Sequence, residues 1–159
     1  MKVTVFISLL AICICDISPA QQNKVFNDKL RYDSLLAKQV GADDYGMKKY
    51  VMAFLKSGPV KIQDPVQRKD LQRMHLKNIM RLAAEGKLIV AGPFLDDQAM
   101  RGIFIFNVET VDEARLLAET DPAVKAGTLV LELHPWYGSA ALVETSRIHK
   151  TIEKKSVAE

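Results

Sequence analysis

The fold is decided by residues 64–93, which read DPVQRKDLQRMHLKNIMRLAAEGKLIVAGP. The stretch predicts an amphipathic helix that begins at Asp64-Pro65, because the aspartate can cap the helix and the proline can take its first position. The helix is expected to stop at Gly86 and to lead into a buried strand that breaks at Gly92-Pro93. Helix and strand together set the architecture of the central part of the chain.

One face of this helix carries an ionisable side chain in its middle. At about 100° per residue, the inward stripe is formed by Leu71, His75, Ile79 and Leu82. Asn78 lies at the edge of the same stripe. A lone histidine on an apolar face is more often a satisfied core residue than a catalytic one, so the pattern alone leaves the role of His75 open.

The remaining predicted strands and helices complete a regular order of secondary-structure elements. Strands are predicted over residues 48–56, 88–91, 102–108 and 128–133, and a second helix runs to about residue 120 after a capping box at Thr110 and Glu113. Asp121-Pro122 begins a short turn that ends at Gly127. The order β-α-β-β-α-β is ferredoxin-like and predicts an α+β fold, with a four-stranded antiparallel sheet and two helices on one face.

The N-terminus has the features of an export signal. In residues 1–20, Lys2 precedes an apolar run that ends near Ser18-Pro19-Ala20, so cleavage is expected before Gln21 and the protein is expected to be secreted or periplasmic. The run is short for a membrane span, so no stable membrane anchor is expected, with a retained anchor as the alternative. Isoleucine precedes both cysteines, Cys13 and Cys15, which does not favour a lipoprotein signal but leaves lipoprotein and soluble export both open.

The rest of the chain is expected to form one domain with two flanking segments. Residues 21–46 read as an N-terminal extension with a helix over roughly 28–40, residues 47–137 as the domain, and residues 138–159 as a tail that frays at its charged end. The chain is 48% hydrophobic, which is enough for a real core. Its net charge of +3 is small and spread out, so a nucleic-acid partner is not expected.

The chemistry available to the mature chain is limited. Both cysteines fall within the signal, so neither a disulfide nor a thiol nucleophile is expected after cleavage. The three histidines show no HxxH or HxH spacing, and no metal site or cofactor is expected.

The predicted sheet has an unusual pattern of side chains. The strand segments LIVA, IFIF and LVLEL are nearly continuous apolar runs, whereas a sheet with one wet face should alternate apolar and polar residues. Two helices cover only one face, so a second copy of the sheet is expected to cover the other and to form a homodimer. The alternative is that residues 21–46 and the tail provide this cover.

At this point the sequence resembles the YCII-related family over roughly residues 48–137. The resemblance is carried by His75, Gly92-Pro93, Gly102, Ala114, Asp121-Pro122 and Pro135-Trp136, in this order. It implies a dimeric ferredoxin-like α+β barrel with a cleft near a His–Asp pair, here His75 and Asp121. A few relatives act on intermediates of aromatic degradation, among them a dehydrochlorinase, and neighbouring families include lactone isomerases. The activities of these relatives do not identify the substrate of this chain.

The residues themselves support the same pair as catalytic candidates. Asp121 prolongs the inner stripe of the second helix, because it follows Val111, Ala114 and Ala118 at spacings of three and four. Two helices side by side on one sheet would bring Asp121 and His75 to the same groove. A carboxylate beside an imidazole fixes its tautomer and leaves the other ring nitrogen to move a proton, which suits proton abstraction, isomerisation or elimination.

Three further residues are candidates for substrate binding: Asn78, His134 and Trp136. His134 either lines the same cleft or bonds the backbone, and Trp136 either forms an aromatic wall or packs in a core or dimer interface. The sequence therefore favours an exported, cofactor-free acid–base enzyme of isomerase, lyase or dehydrochlorinase type, acting on a small organic molecule. A dimeric ligand-binding module without turnover is the alternative, and a structural subunit is a third possibility.

Overall fold

The structure, a computed structural model, describes residues 31–157. The predicted export signal and the first part of the N-terminal extension lie outside the described residues. The chain divides between Asp33 and Ser34 into two units, and the elements below belong to the second. Within residues 31–157, no helix is long and apolar enough to cross a membrane.

Four strands of the second unit form one antiparallel sheet in the order β2-β3-β1-β4. The elements in chain order are α1 (Ser34–Val40), β1 (Met47–Ser57), α2 (Pro65–Ala84), β2 (Leu88–Pro93), β3 (Met100–Phe106), α3 (Val111–Ala118), α4 (Pro122–Lys125), β4 (Leu129–Ser139), a 3-10 helix (Ala140–Glu144) and α5 (Thr145–Ile152). The β-α-β-β-α-β core of this order confirms the predicted ferredoxin-like α+β fold.

The helices begin and end where the sequence places them. The Asp64 side chain accepts a hydrogen bond from the Val66 amide (2.9 Å), and Pro65 opens α2. Gly86 follows α2 with a φ of 68°, a conformation that favours glycine. Thr110 and Glu113 form the predicted reciprocal capping box at the start of α3.

The sheet has an apolar cluster on each face. The face under α2 and α3 packs the larger cluster, built by Val51, Ala53, Leu55, Leu82, Leu88, Phe104, Phe106, Val108, Ala114 and Ala118. The opposite face, called the outer face below, packs a smaller cluster around Tyr50, Ile89 and Ile105. The near-continuous apolar strands are therefore explained, since both faces bury side chains.

Two strands run further than predicted. β2 continues through Gly92-Pro93, with Pro93 opposite Gly102, and β4 continues through Pro135-Trp136 to Ser139. The sequence prediction stopped both strands at their prolines. Both are edge strands of the sheet, where a missing N–H on the open side costs no ladder hydrogen bond, so proline is tolerated there.

The flanking segments also differ from expectation. The tail forms the 3-10 helix and α5, which ends at Ile152, and Leu142 and Val143 pack on the outer-face cluster. The tail thus covers part of the face that a second copy was expected to cover entirely. At the other end, the helix predicted from about residue 28 begins at Ser34 among the described residues, next to Asp33. Asp and Ser favour helix N-termini over helix interiors.

Two glycines on neighbouring strands give a matched pair of substitutions. A Cβ at Gly102 would collide with the carbonyl oxygen of Gly92, whereas a Cβ at Gly92 would meet no atom within 4 Å. We expect Gly102→Ala to lower the free energy of unfolding by about 1–3 kcal/mol, because the backbone of β2 would have to move. Gly92→Ala should be close to neutral. Urea unfolding measures both, and equal effects would contradict the close approach of β2 and β3.

Candidate active site

The centre of the site is a buried pair formed by an imidazole and a carboxylate. α2 directs His75 towards the sheet, and the short turn after α3 directs Asp121 towards α2. The Nδ1 atom of His75 lies 2.7 Å from Oδ2 of Asp121, which is hydrogen-bond distance. His75 is 7% exposed and Asp121 is 1% exposed. The structure therefore brings together the two residues that the sequence placed on converging faces.

Both oxygens of Asp121 are used as hydrogen-bond acceptors. Oδ2 faces His75, and Oδ1 accepts from the Ala123 amide (2.8 Å) at the start of α4. The other Asp-Pro start in the domain, at Asp64, makes the same cap with similar backbone angles but is exposed. Capping alone thus does not need a buried carboxylate. The burial of Asp121 comes with its contact to His75.

The second ring nitrogen of His75, Nε2, is not used in the hydrogen bond to Asp121. The ring stacks on Phe104, with centroids 6.2 Å apart and an interplanar angle of 21°. Among the described residues, every buried polar side-chain atom has a hydrogen-bond partner, and the bond of His75 is made by Nδ1. Nε2 is therefore not sealed away from solvent. With the proton on Nδ1 donated to Asp121, Nε2 presents a lone pair.

His75 lies on the wall of a cavity between α2 and the sheet with a volume of about 470 Å³. Most of the wall is apolar and comes from Leu55, Leu76, Ile79, Ala91, Gly92, Pro93, Gly102, Phe104, Leu129 and Val157. The remaining lining residues are Gln72 and Arg101. The volume lies within the range of small-molecule sites, and a few polar groups on an apolar wall are typical of them.

Asn78 is near the pair but serves another contact. The Arg81 guanidinium donates to the Asn78 side-chain oxygen (2.9 Å) and to the Thr120 hydroxyl (3.0 Å). The Thr120 hydroxyl donates to the Leu117 carbonyl (2.6 Å) and lies 3.1 Å from the Asn78 oxygen. Asn78 is not among the residues that line the cavity. It ties α2 to the residue before Asp121.

His134 and Trp136 lie on the outer face of the sheet, so the structure does not bring them to His75. His134 bonds Glu132 (2.8 Å), which also pairs with Lys56. The hydrogen bond from Lys56, and secondarily the one from His134, hold the pKa of Glu132 below its usual value. The Trp136 ring packs on Tyr50 at 5.8 Å, in the outer-face cluster. Strand alternation decides this, because His134 and Trp136 pair with Met52 and Tyr50 rather than with the inward Val51 and Ala53.

Sequence reasoning missed four residues around the pair: Gln72, Arg101, Phe104 and Thr120. Gln72 lies one helical turn before His75, and Arg101 directly precedes the predicted third strand. Neither residue belongs to a motif or a regular spacing, so nothing in the sequence pointed to it. Phe104 was recognised only as a strand residue. Within residues 31–157, no group of three or more His, Cys, Asp or Glu side chains is placed to hold a metal ion.

A split β-α-β-β-α-β sheet with a buried imidazole–carboxylate pair beneath its helices defines a small α+β domain with a single-histidine site. The YCII-related domain model matches residues 49–137, which is more than half of the chain. The chain therefore belongs to the YCII-related family, as the sequence resemblance predicted.

Comparison with solved structures found seven similar chains. The chain is similar to 5-chloro-2-hydroxyhydroquinone dehydrochlorinase from Burkholderia phenoliruptrix AC1100, solved as a complex with 2,5-dihydroxybenzoquinone. The two are 30% identical over 55% of this chain and 92% of that one, with a TM-score of 0.41. The comparison with curated protein sequences gave no match.

The contact between α2 and Thr120 can be tested with a matched pair of threonines. Thr120 and Thr151 each bond the carbonyl three residues earlier, but only Thr120 also meets Arg81 and Asn78 of another helix. Thr120→Val should therefore lower the free energy of unfolding by about 1 kcal/mol more than Thr151→Val. Chemical denaturation of both variants measures the difference. Equal losses would show that the contact to α2 contributes nothing.

Proposed function

We propose that this protein is a cofactor-free acid–base enzyme of isomerase, lyase or dehydrochlorinase type that acts on a small organic molecule through His75 and Asp121. The observation that carries the proposal is the arrangement of one imidazole. Its Nδ1 is held by a buried carboxylate, and the ring lies on the wall of an apolar cavity. Membership of the YCII-related family is consistent with such a site and names no substrate.

In the proposed reaction, Nε2 of His75 removes a proton from a carbon atom next to a carbonyl group. The electron pair of the broken C–H bond forms a C=C bond to the carbonyl carbon, and the π pair of the C=O bond moves to the oxygen, which gives an enolate. Asp121 keeps the ring oriented and stabilises the positive charge that the imidazole gains. For isomerisation, His75 then returns the proton to a different carbon. For elimination, the enolate electrons form a C=C bond and expel a leaving group with its bonding pair.

The walls of the cavity suggest the class of substrate. Apolar side chains make up most of the lining, and Phe104 stacks on His75, so the site favours a small molecule with a flat apolar body. Arg101 and Gln72 are the polar groups that could meet an oxygen of that molecule. Arg101 uses Nη1 to bond Asp97 (3.3 Å) and the Gln98 carbonyl (3.2 Å) on an exposed loop. Its guanidinium retains further donors, and these suit a phenolate, carboxylate or enolate oxygen.

The enzyme proposal is tested by a double variant, His75→Leu with Asp121→Asn, assayed against small lactones and halogenated or hydroxylated aromatics. Asp121→Asn keeps an oxygen for the Ala123 amide, but its NH₂ group loses the imidazole as a partner, so the variant should remain folded with a free energy of unfolding lower by about 1–3 kcal/mol. Turnover should fall by roughly 10²–10⁴-fold, the usual contribution of a general base. Thermal denaturation and product analysis measure the two effects.

The matched control is His134→Leu, which removes the same side chain from the outer face and should leave turnover unchanged. A double variant that keeps full activity would place His75 and Asp121 in the scaffold. If the parent binds a compound without turnover and the double variant loses that binding, the non-catalytic ligand-binding alternative is supported instead.

We further propose that two copies of the chain pack through the part of the outer face that the tail leaves open. The tail covers Tyr50, Ile89 and Ile105. Beside them, Met52, Phe54 and Ile103 are half-buried and Val130 is 48% exposed. Phe54 lies opposite Ile103 on β3, whereas Val130 on β4 lies opposite Lys56. A second copy is the economical cover for the apolar part of this surface.

Light scattering should give twice the mass of one mature chain. Phe54→Glu should shift the protein to monomer or aggregate, because a charge would be buried in the interface. Leu116→Glu, an equal change on the exposed side of α3, should leave the mass unchanged. A stable parent monomer would refute the homodimer.

The export of the protein remains a proposal based on residues 1–20, which lie outside the described structure. Cleavage before Gln21 would leave a chain that contains neither Cys13 nor Cys15. The intact mass of the protein recovered from the periplasm or the medium checks both statements. A cytosolic protein that retains Met1 would overturn them together.

A further inference from the structure

The chain continues for twenty described residues beyond the family match, which ends at residue 137. We call residues 138–157 the C-terminal extension. It is fixed at its beginning, because the Ser139 carbonyl accepts from the Tyr50 hydroxyl (3.0 Å) and the Ala140 amide donates to the Gly46 carbonyl (2.9 Å). Leu142 and Val143 then pack on the outer-face cluster. The extension therefore starts from a firm attachment to the family domain.

Beyond this attachment, α5 is held less closely. A second cavity of about 320 Å³ lies between α5, the end of α2 and β2. α5 buries none of its residues. Its ion pairs, Arg147 with Glu144 and His149 with Glu153 (3.5 Å), join residues of the extension to one another rather than to the domain.

The end of the extension returns to α2 beside the candidate active site. The Ser156 hydroxyl lies 3.6 Å from the Met80 sulfur, a contact to a weak acceptor. Val157 lines the second cavity and also the cavity of His75. Because Val157 is 71% exposed, its place in that wall is at the boundary with solvent. Within segment 153–157, Val157 thus borders the His75 cavity, while Glu153 and Ser156 line the second cavity beside it.

We propose that segment 153–157 is a strap across one side of the His75 cavity, and that it determines which molecules reach Nε2 of His75. Its importance for substrate selection rests on the function proposed above, but access to His75 is measurable without turnover. The strap is attached through residues with few buried contacts, and such segments are the ones that open locally at low cost. The residues of the family match supply His75, Asp121 and most of the cavity wall, and the extension of this chain adds Val157 at its border.

Access is measured by the rate at which diethyl pyrocarbonate acylates His75, followed by peptide mass spectrometry on the full-length protein. A variant that ends at Ile152 lacks the strap, and His75 should react roughly threefold faster or more because the mouth is wider. His134, exposed on the outer face, is the internal control and should react at the same rate in both proteins.

Val157→Trp is a second variant that keeps the full length of the chain. The larger side chain at the mouth should slow the acylation of His75 and again leave His134 unchanged, so the two variants shift the rate in opposite directions. Equal His75 rates in the parent and both variants would overturn the strap, even if an enzymatic activity is found. Shifted rates in a protein without any turnover would leave the strap in place and refute only the proposed enzyme.

Discussion

The candidate site depends on the hydrogen bond between His75 and Asp121. It joins two helical segments 46 residues apart in sequence, and both partners are almost fully buried. A buried polar group that loses its partner is costly, because it also lacks water. Removal of either partner alone should therefore affect both the packing of α2 against the turn before α4 and the orientation of the imidazole. The local structure and the proposed chemistry therefore both depend on the hydrogen bond between His75 and Asp121.

The surroundings of the pair support the proposed chemistry. His75 lines a cavity of about 470 Å³, whereas Asp121 is not among its lining residues. Phe104 fixes one face of the ring, and the tie between Asn78, Arg81 and Thr120 holds the residue that precedes Asp121. The imidazole is thus held by its surroundings while one edge stays open.

Much of the fold could be predicted because its signals are local. Asp64-Pro65, Gly86 and the Thr110–Glu113 capping box each act within one turn of helix, and the structure has each of them. The convergence of His75 and Asp121 followed from two amphipathic stripes on one sheet face. The ends of β2 and β4 could not be predicted in the same way. Whether a proline ends a strand depends on whether that strand lies at the sheet edge, and edge positions are set by long-range pairing.

The positions of His134 and Trp136 have a similar cause. The sequence left the cleft open as an alternative for both residues, but the alternation of side chains along β4 directs both to the outer face, where Trp136 has the packing role that was the other alternative. Arg101 and Gln72 were missed because a cavity wall is assembled from separate elements and leaves no spacing in any one of them. The sequence offered the tail as an alternative cover for this face, and Leu142 and Val143 provide it for the part that surrounds Tyr50.

The most direct test of this account is the tautomer of neutral His75, read from a long-range proton–nitrogen correlation spectrum of the parent and of Asp121→Asn. In the parent, the proton should be on Nδ1, because Oδ2 of Asp121 is an acceptor. An asparagine has a single acceptor oxygen, and the Ala123 amide needs it for the cap. Its NH₂ group would then face Nδ1 and move the proton to Nε2, while His134 stays unchanged. A proton on Nε2 in the parent, or the same tautomer in both proteins, would contradict the account.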